Sequence, residues 1–230
     1  MKALHCLPIQ ARSMKELNER IHDAEDKADI IEVWLDSVED LRLAELFFEE
    51  ADVKLPFLFV NKLPSERGDF MGTPDEHAEI LREAFERGAH YVDVTHEIDP
   101  AHLKTITSAK QKHSKLIISY HNFEQTPDIA SLQKIVKSAH KKGADLVKIA
   151  TFVSDRDENT VLFDLTKWAE DQEIPIITVG MGEEGRLSRI VCPLLGSEIY
   201  YAPLKNGEET APGQFTKKEL ATIWHAMELM

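Results

Sequence analysis

Two apolar runs decide how this chain reads: Leu116-Ile117-Ile118-Ser119-Tyr120-His121 and Asp145-Leu146-Val147-Lys148-Ile149-Ala150-Thr151. Each has the length and aliphatic content of a strand buried on both faces. Between them, residues 129–142 read as a helix closed by Gly143. Strand, helix and strand of this kind make a parallel β-α-β unit, whose strands end on the same side. His121 stands at the end of the first strand. Lys148 lies inside the second, with apolar residues on both sides. A buried lysine is costly unless neutral or paired. Loss of solvent also turns its amine into a better nucleophile toward a carbonyl. The alternative is a lysine whose stem is covered and whose head reaches water. His121 fits a proton shuttle or a structural histidine.

The same alternation runs along the whole chain. Strands are expected over 3–8, 30–35, 56–61, 91–95, 116–121, 145–151, 175–180 and 198–203. Helices are expected over 13–24, 38–51, 74–87, 100–112, 129–142, 157–171, 184–195 and 216–229. Local signals support them. Ser13 and Glu16 form a capping box, Pro74 occupies a first turn, and Gly88 and Gly196 follow helix ends. Eight β/α units in 230 residues indicate a single-domain (β/α)8 barrel, the TIM barrel. A doubly wound open sheet is the alternative. It is weakened because no glycine-rich dinucleotide turn follows any strand. The long loops, 62–73 and 204–213, follow strands, on the side where barrels carry their chemistry.

Composition narrows the function classes. Apolar residues make up 43% of the chain, enough for a large core, and no run is long enough to cross a membrane. The first residues lack the apolar region and cleavage site of a secretory signal. Cys6 and Cys192 sit in apolar contexts, so reduced thiols and a cytoplasmic setting are expected. The net charge of −14 opposes nucleic acid and anionic membranes. An anionic ligand would therefore need cations placed locally. The remaining histidines show no ligand spacing, and no metal site is expected.

Further candidates each have a plain alternative. Glu32 interrupts an apolar strand, which carboxylates seldom do without a partner or ligand. Asp36 reads as a helix cap. Glu66 and Arg67, taken alone, read as solvated loop charges. Arg189 is either a surface arginine or a bidentate carboxylate clamp. The stretch Thr210-Ala211-Pro212-Gly213-Gln214 is either a turn or a lid.

Together these stretches resemble type I 3-dehydroquinate dehydratase over nearly the whole chain. Ser119-Tyr120-His121-Asn122-Phe123 is similar to that family's histidine motif, and residues 145–150 to its lysine motif. Gly185 to Ile190, with Ser188-Arg189, is similar to its arginine motif, and Ala211-Pro212-Gly213-Gln214 to its terminal glutamine loop. The resemblance implies a lyase of the shikimate pathway that needs no cofactor. Lys148 would form an imine with 3-dehydroquinate, His121 would move the protons, and Glu66 would orient His121. Arg189, Thr210 and Gln214 would hold the substrate carboxylate. Glu32 and Lys62 would face its hydroxyls, and Met181 and Tyr201 would form walls. A homodimer is compatible with the resemblance, although the residues carry no interface signature.

The chain also departs from the family pattern. Trp34 and Lys62 stand where arginines are usual, Arg67 replaces a glycine, and Thr95 a glutamate. Lysine is not equivalent to arginine at a bidentate site. Two rival readings follow: an aldolase-like Schiff-base barrel with another keto-acid substrate, and a catalytically weakened homologue that binds a carbocyclic acid or a partner protein.

Overall fold

A computed structural model describes residues 3–24, 26–41 and 55–228. Its strands are β1 (Leu4–Ile9), β2 (Ile30–Trp34), β3 (Phe57–Val60), β4 (Tyr91–Thr95), β5 (Lys115–Asn122), β6 (Leu146–Phe152), β7 (Ile176–Met181) and β8 (Ile199–Tyr201). The helices between and after them are α1 (Met14–Ala24), α2 (Pro74–Glu86), α3 (Pro100–Thr107), α4 (Ile129–Lys141), α5 (Asn159–Asp171), α6 (Arg186–Leu195) and α7 (Lys217–Ala226). The strand order is β7-β6-β5-β4-β3-β2-β1-β8. Ser197, just before β8, bridges in parallel to Ile176 at the start of β7. The order is therefore cyclic, and the fold class is the expected (β/α)8 barrel. Its contacts divide the chain into two compact units, Leu7–Ile117 and Ile118–Met230 with Met1–Cys6.

In the unit Leu7–Ile117, Trp34 lies opposite Val60, and Val60 opposite Asp93. Side chains alternate along a strand, so these three share a face with Glu32 and Lys62, two residues away. Helix α2 starts in a complete capping box. The Thr73 side chain accepts the Glu76 N–H, and the Glu76 carboxylate accepts the Thr73 N–H at 2.7 Å. Its buried stripe includes Leu81 and Phe85, each worth roughly 1.5–3 kcal/mol of hydrophobic stabilisation.

In the second unit, Lys148 lies opposite Ile177 and Phe152 opposite Met181. Strand β1 is fastened to β8 by more than its ladder. His5 donates from Nε2 to the Ala202 carbonyl at 2.8 Å and stacks on Tyr200. Tyr200 packs edge-on against Trp224, whose Nε1 donates to the Ile190 carbonyl. Cys6 and Cys192 are buried and not joined in a disulfide, and burial pushes the Cys192 thiol up to about 12.

Several boundaries differ from expectation. Helix α3 ends at Thr107 rather than 112. There Thr107 Oγ1 donates to the Leu103 carbonyl and Ser108 Oγ to the Thr105 carbonyl, an alternative to the helical ladder. Helix α5 begins at Asn159 because Arg156–Glu158 forms a 3-10 turn. Helix α6 begins at Arg186, after a glycine-rich turn. Most of the helix expected over 38–51 falls on residues 42–54, outside the described residues. What precedes it is a 3-10 turn, Leu35–Ser37, followed by extended Val38.

Candidate active site

Lys148 is buried in its strand, 8% exposed. Its Nζ lies over the Tyr201 ring, 4.5 Å from the centroid. Tyr201 is itself buried and sits opposite Cys6 in the β1–β8 ladder. Met181 ends the neighbouring β7 on the same face as Lys148, four register positions further along. His121, near the end of β5, is half-buried and stacks on Phe123 with ring centroids 5.8 Å apart. The aromatic that closes the histidine motif is thus the histidine's platform.

Arg189 is not a surface arginine. It is 6% exposed, and burial, with Arg186 nearby, brings its guanidinium down to about 10. Its position follows from the turn before α6. Ser188 Oγ accepts the Gly180 N–H and donates to the Gly185 carbonyl, both at 2.7 Å. A Cβ on Gly185 would collide with the backbone of Gly180 and Met181, so the turn closes only around glycine. Buried Asn159 completes it, accepting the Ser188 N–H and donating to the Glu184 carbonyl. Arg189 Nη2 donates to the Pro212 carbonyl at 3.1 Å, while Nε is buried without a hydrogen-bond partner. Among the described residues, no carboxylate pairs with this cation. A desolvated guanidinium with an unspent donor is a site for an anion.

The loop carrying Pro212 is docked rather than open. Pro212 also accepts the Gly182 N–H at 3.2 Å. Gly213, at φ 81°, has a conformation that suits glycine and lies against the Gly182 carbonyl. Gln214 is buried and turned onto its own loop. Its Oε1 accepts the Thr210 N–H at 2.9 Å, and its Nε2 donates to Thr210 Oγ1. Thr210 and Gln214 therefore meet within one loop.

The unit Leu7–Ile117 holds the other expected residues. Lys62 is buried, and its ammonium donates to Glu66 at 3.0 Å and to Asp93 at 3.1 Å. Both carboxylates are buried at the side chain, so the solvated reading of Glu66 is corrected, while Arg67 is exposed and left-handed at φ 62°. The turn Pro64–Glu66 brings Glu66 back over Lys62. Glu32 is buried and accepts the Trp34 Nε1–H at 2.9 Å, so Trp34 supplies one of the donors an arginine there would offer, without its charge. Asp36 does not cap a helix. It accepts the N–H groups of Lys62 and Asp69, each at 2.9 Å, and pins the loop after β3, while burial raises its carboxyl.

Three contributors went unread in the sequence. Asp93 interrupts an apolar strand just as Glu32 does, so the same signal would have found it. Asn159 gave none, since its role depends on a turn some twenty-five residues away. The Pro212 carbonyl is a main-chain group. Among the described residues, no cluster of metal-ligating side chains occurs and no helix is long and apolar enough to cross a membrane.

Known proteins show the family. The family model for type I 3-dehydroquinase matches residues 5–230. The 3-dehydroquinate dehydratase of Methanococcus vannielii is 31% identical over 97% of this chain and 99% of its own length. A bifunctional 3-dehydroquinate dehydratase/shikimate dehydrogenase of Arabidopsis thaliana is 33% identical over 97% of this chain, which spans only 37% of that protein. The crystal structure of the Clostridium difficile type I 3-dehydroquinate dehydratase, with covalently modified comenic acid, superposes with a TM-score of 0.89 at 26% identity, over 98% of this chain and 92% of that one.

Proposed function

The chain belongs to the type I 3-dehydroquinase family, and on that premise we propose that it dehydrates 3-dehydroquinate to 3-dehydroshikimate through an imine on Lys148. The reading makes it one catalytic domain acting in the shikimate pathway in the cytoplasm. The observation that carries it is Arg189: a buried cation, without a carboxylate partner among the described residues, in the same unit as a buried lysine. That pair suits a substrate bearing both a carboxylate and a ketone.

The chemistry balances without a cofactor. The neutral Lys148 amine adds to the C3 ketone, and the carbinolamine hydroxyl takes a proton from protonated His121 and leaves as water, giving an iminium ion. The iminium draws electrons from the adjacent carbon, so His121 can take the C2 proton and leave an enamine. His121 then returns the proton to the C1 hydroxyl, which departs as water, leaving the conjugated iminium. Water adds to that carbon, His121 takes up the proton released, and the carbinolamine collapses to the ketone product with the amine left on Lys148. Histidine titrates near neutrality and can serve first as base and then as acid. Glu66 is assigned to orient it. Arg189, Thr210 and Gln214 take the carboxylate, Glu32 and Lys62 the hydroxyls, and Met181 and Tyr201 the walls.

The test is intact mass after incubation with 3-dehydroquinate and borohydride. One reduced adduct, mapped to Lys148, is expected. Lys148→Ala should lose the adduct and on the order of 10^4-fold or more of turnover. A folded protein that gives no adduct would count against the imine, and with it this substrate assignment.

A further inference from the structure

We infer that the ring of Tyr201 is a catalytic group, a π-face that stabilises the positive iminium on Lys148, rather than only a wall of the pocket. The inference rests on the imine reading above and deepens it. Its basis is the Nζ position, 4.5 Å from the ring centroid and over the ring. That lies well inside the range, about 6 Å, at which an aromatic face attracts a cation. Nζ is also the atom that becomes the imine nitrogen, so the ring already stands beneath the charge that the reaction creates.

The ring is held in place by the fold. Tyr201 is 7% exposed and registers with Cys6 in the β1–β8 ladder. On either side of it, Tyr200 is clamped between His5 and Trp224, and the Ala202 carbonyl accepts the His5 Nε2–H. The backbone on both sides of Tyr201 is thus held and its ring is buried, so the face on Nζ needs little reorganisation, as a preorganised electrostatic group requires.

The choice of an aromatic has a chemical reason. The carbinolamine and the enamine are neutral at nitrogen, whereas the two iminium species carry the charge. A π-face favours the charged species over the neutral ones. Unlike a carboxylate, it forms no strong charge-assisted hydrogen bond that would hold Lys148 as an ammonium and remove its lone pair from use.

Fluorination of the ring provides the test, since it drains the π-face while nearly conserving shape. Position 201 is replaced by phenylalanine and by mono-, di- and pentafluorophenylalanine, with Tyr201→Leu as the limit. At saturating 3-dehydroquinate, the fraction of Lys148 trapped by borohydride and kcat should both fall stepwise along the series. The full loss should be roughly 2- to 30-fold, with little change in KM, and Tyr201→Phe should recover most of what Tyr201→Leu loses. A flat series in a wild-type background that traps normally would overturn the role of the ring and leave the imine standing. No adduct in the wild type would overturn both, and the two failures are distinguishable by that control.

Discussion

Two lysines of this chain are almost equally buried, Lys62 at 3% and Lys148 at 8% exposure, yet they sit in different chemistry. The ammonium of Lys62 is gripped by Glu66 and Asp93 at hydrogen-bond distance. The nitrogen of Lys148 lies over the Tyr201 face. A carboxylate pair fixes a lysine as a cation and a tether. An aromatic face accepts the charge without binding a proton. Burial alone therefore identifies neither nucleophile nor strut, and the neighbours decide.

Removing each side chain tests that contrast. Lys62→Met should cost about 3–5 kcal/mol in urea unfolding at pH 7, because it strands two buried carboxylates. The loss should shrink as acid protonates them. Lys148→Met should cost less than Lys62→Met in the same measurement while ending turnover. Equal costs would erase the distinction.

Arg189 extends the comparison to a third buried cation, held by a carbonyl and lacking a carboxylate among the described residues. Burial lowers its guanidinium to about 10, so below that pH the native state carries a charge that the environment disfavours. Arg189→Met should raise Tm by about 2–4 °C for each kcal/mol of relieved desolvation. The same variant should raise KM for 3-dehydroquinate roughly 10- to 100-fold, as expected when a charge-assisted contact is lost. A lowered Tm with unchanged KM would make Arg189 structural.

The smallest expected effect belongs to His77, a buried group held neutral. Its Nε2 donates to the Asn61 carbonyl at 2.6 Å, and burial, the largest influence, lowers its pKa from 6.5. The unfolded chain takes up the proton near its ordinary value, whereas the folded chain does so only at lower pH. Stability is therefore present above about pH 6.5 and falls as acid favours the unfolded form. His77→Gln should flatten this decline between pH 7 and 5, read as Tm against pH.

The strands and the fold class were legible because apolar runs and the β/α alternation are local signals. Lys148 was legible for the same reason, standing out in a strand that otherwise reads as buried. What surrounds it was not. The Tyr201 contact joins β6 to β8, and the ion group of Lys62 depends on the turn that returns Glu66 and on register with β4. The burial of Arg189 comes from a serine, two close-packed glycines and Asn159, which the Ser-Arg motif only outlines. Asp36 was misread as a cap because a carboxylate ahead of an expected helix looks the same whether it accepts helical or loop N–H groups.

The bond from His5 to the Ala202 carbonyl spans 197 residues of sequence. A ribosome adding roughly 5–20 residues each second leaves on the order of ten to forty seconds between these two partners. Throughout that interval β1 is made but β8 does not exist, so a buried histidine and an open strand edge must wait. Such distant pairing belongs to the slow end of folding. During synthesis, the first strand of this chain is among the last to have both its edges paired, because β8 comes so late, and a chaperone or a transient local partner has its longest opportunity at that edge.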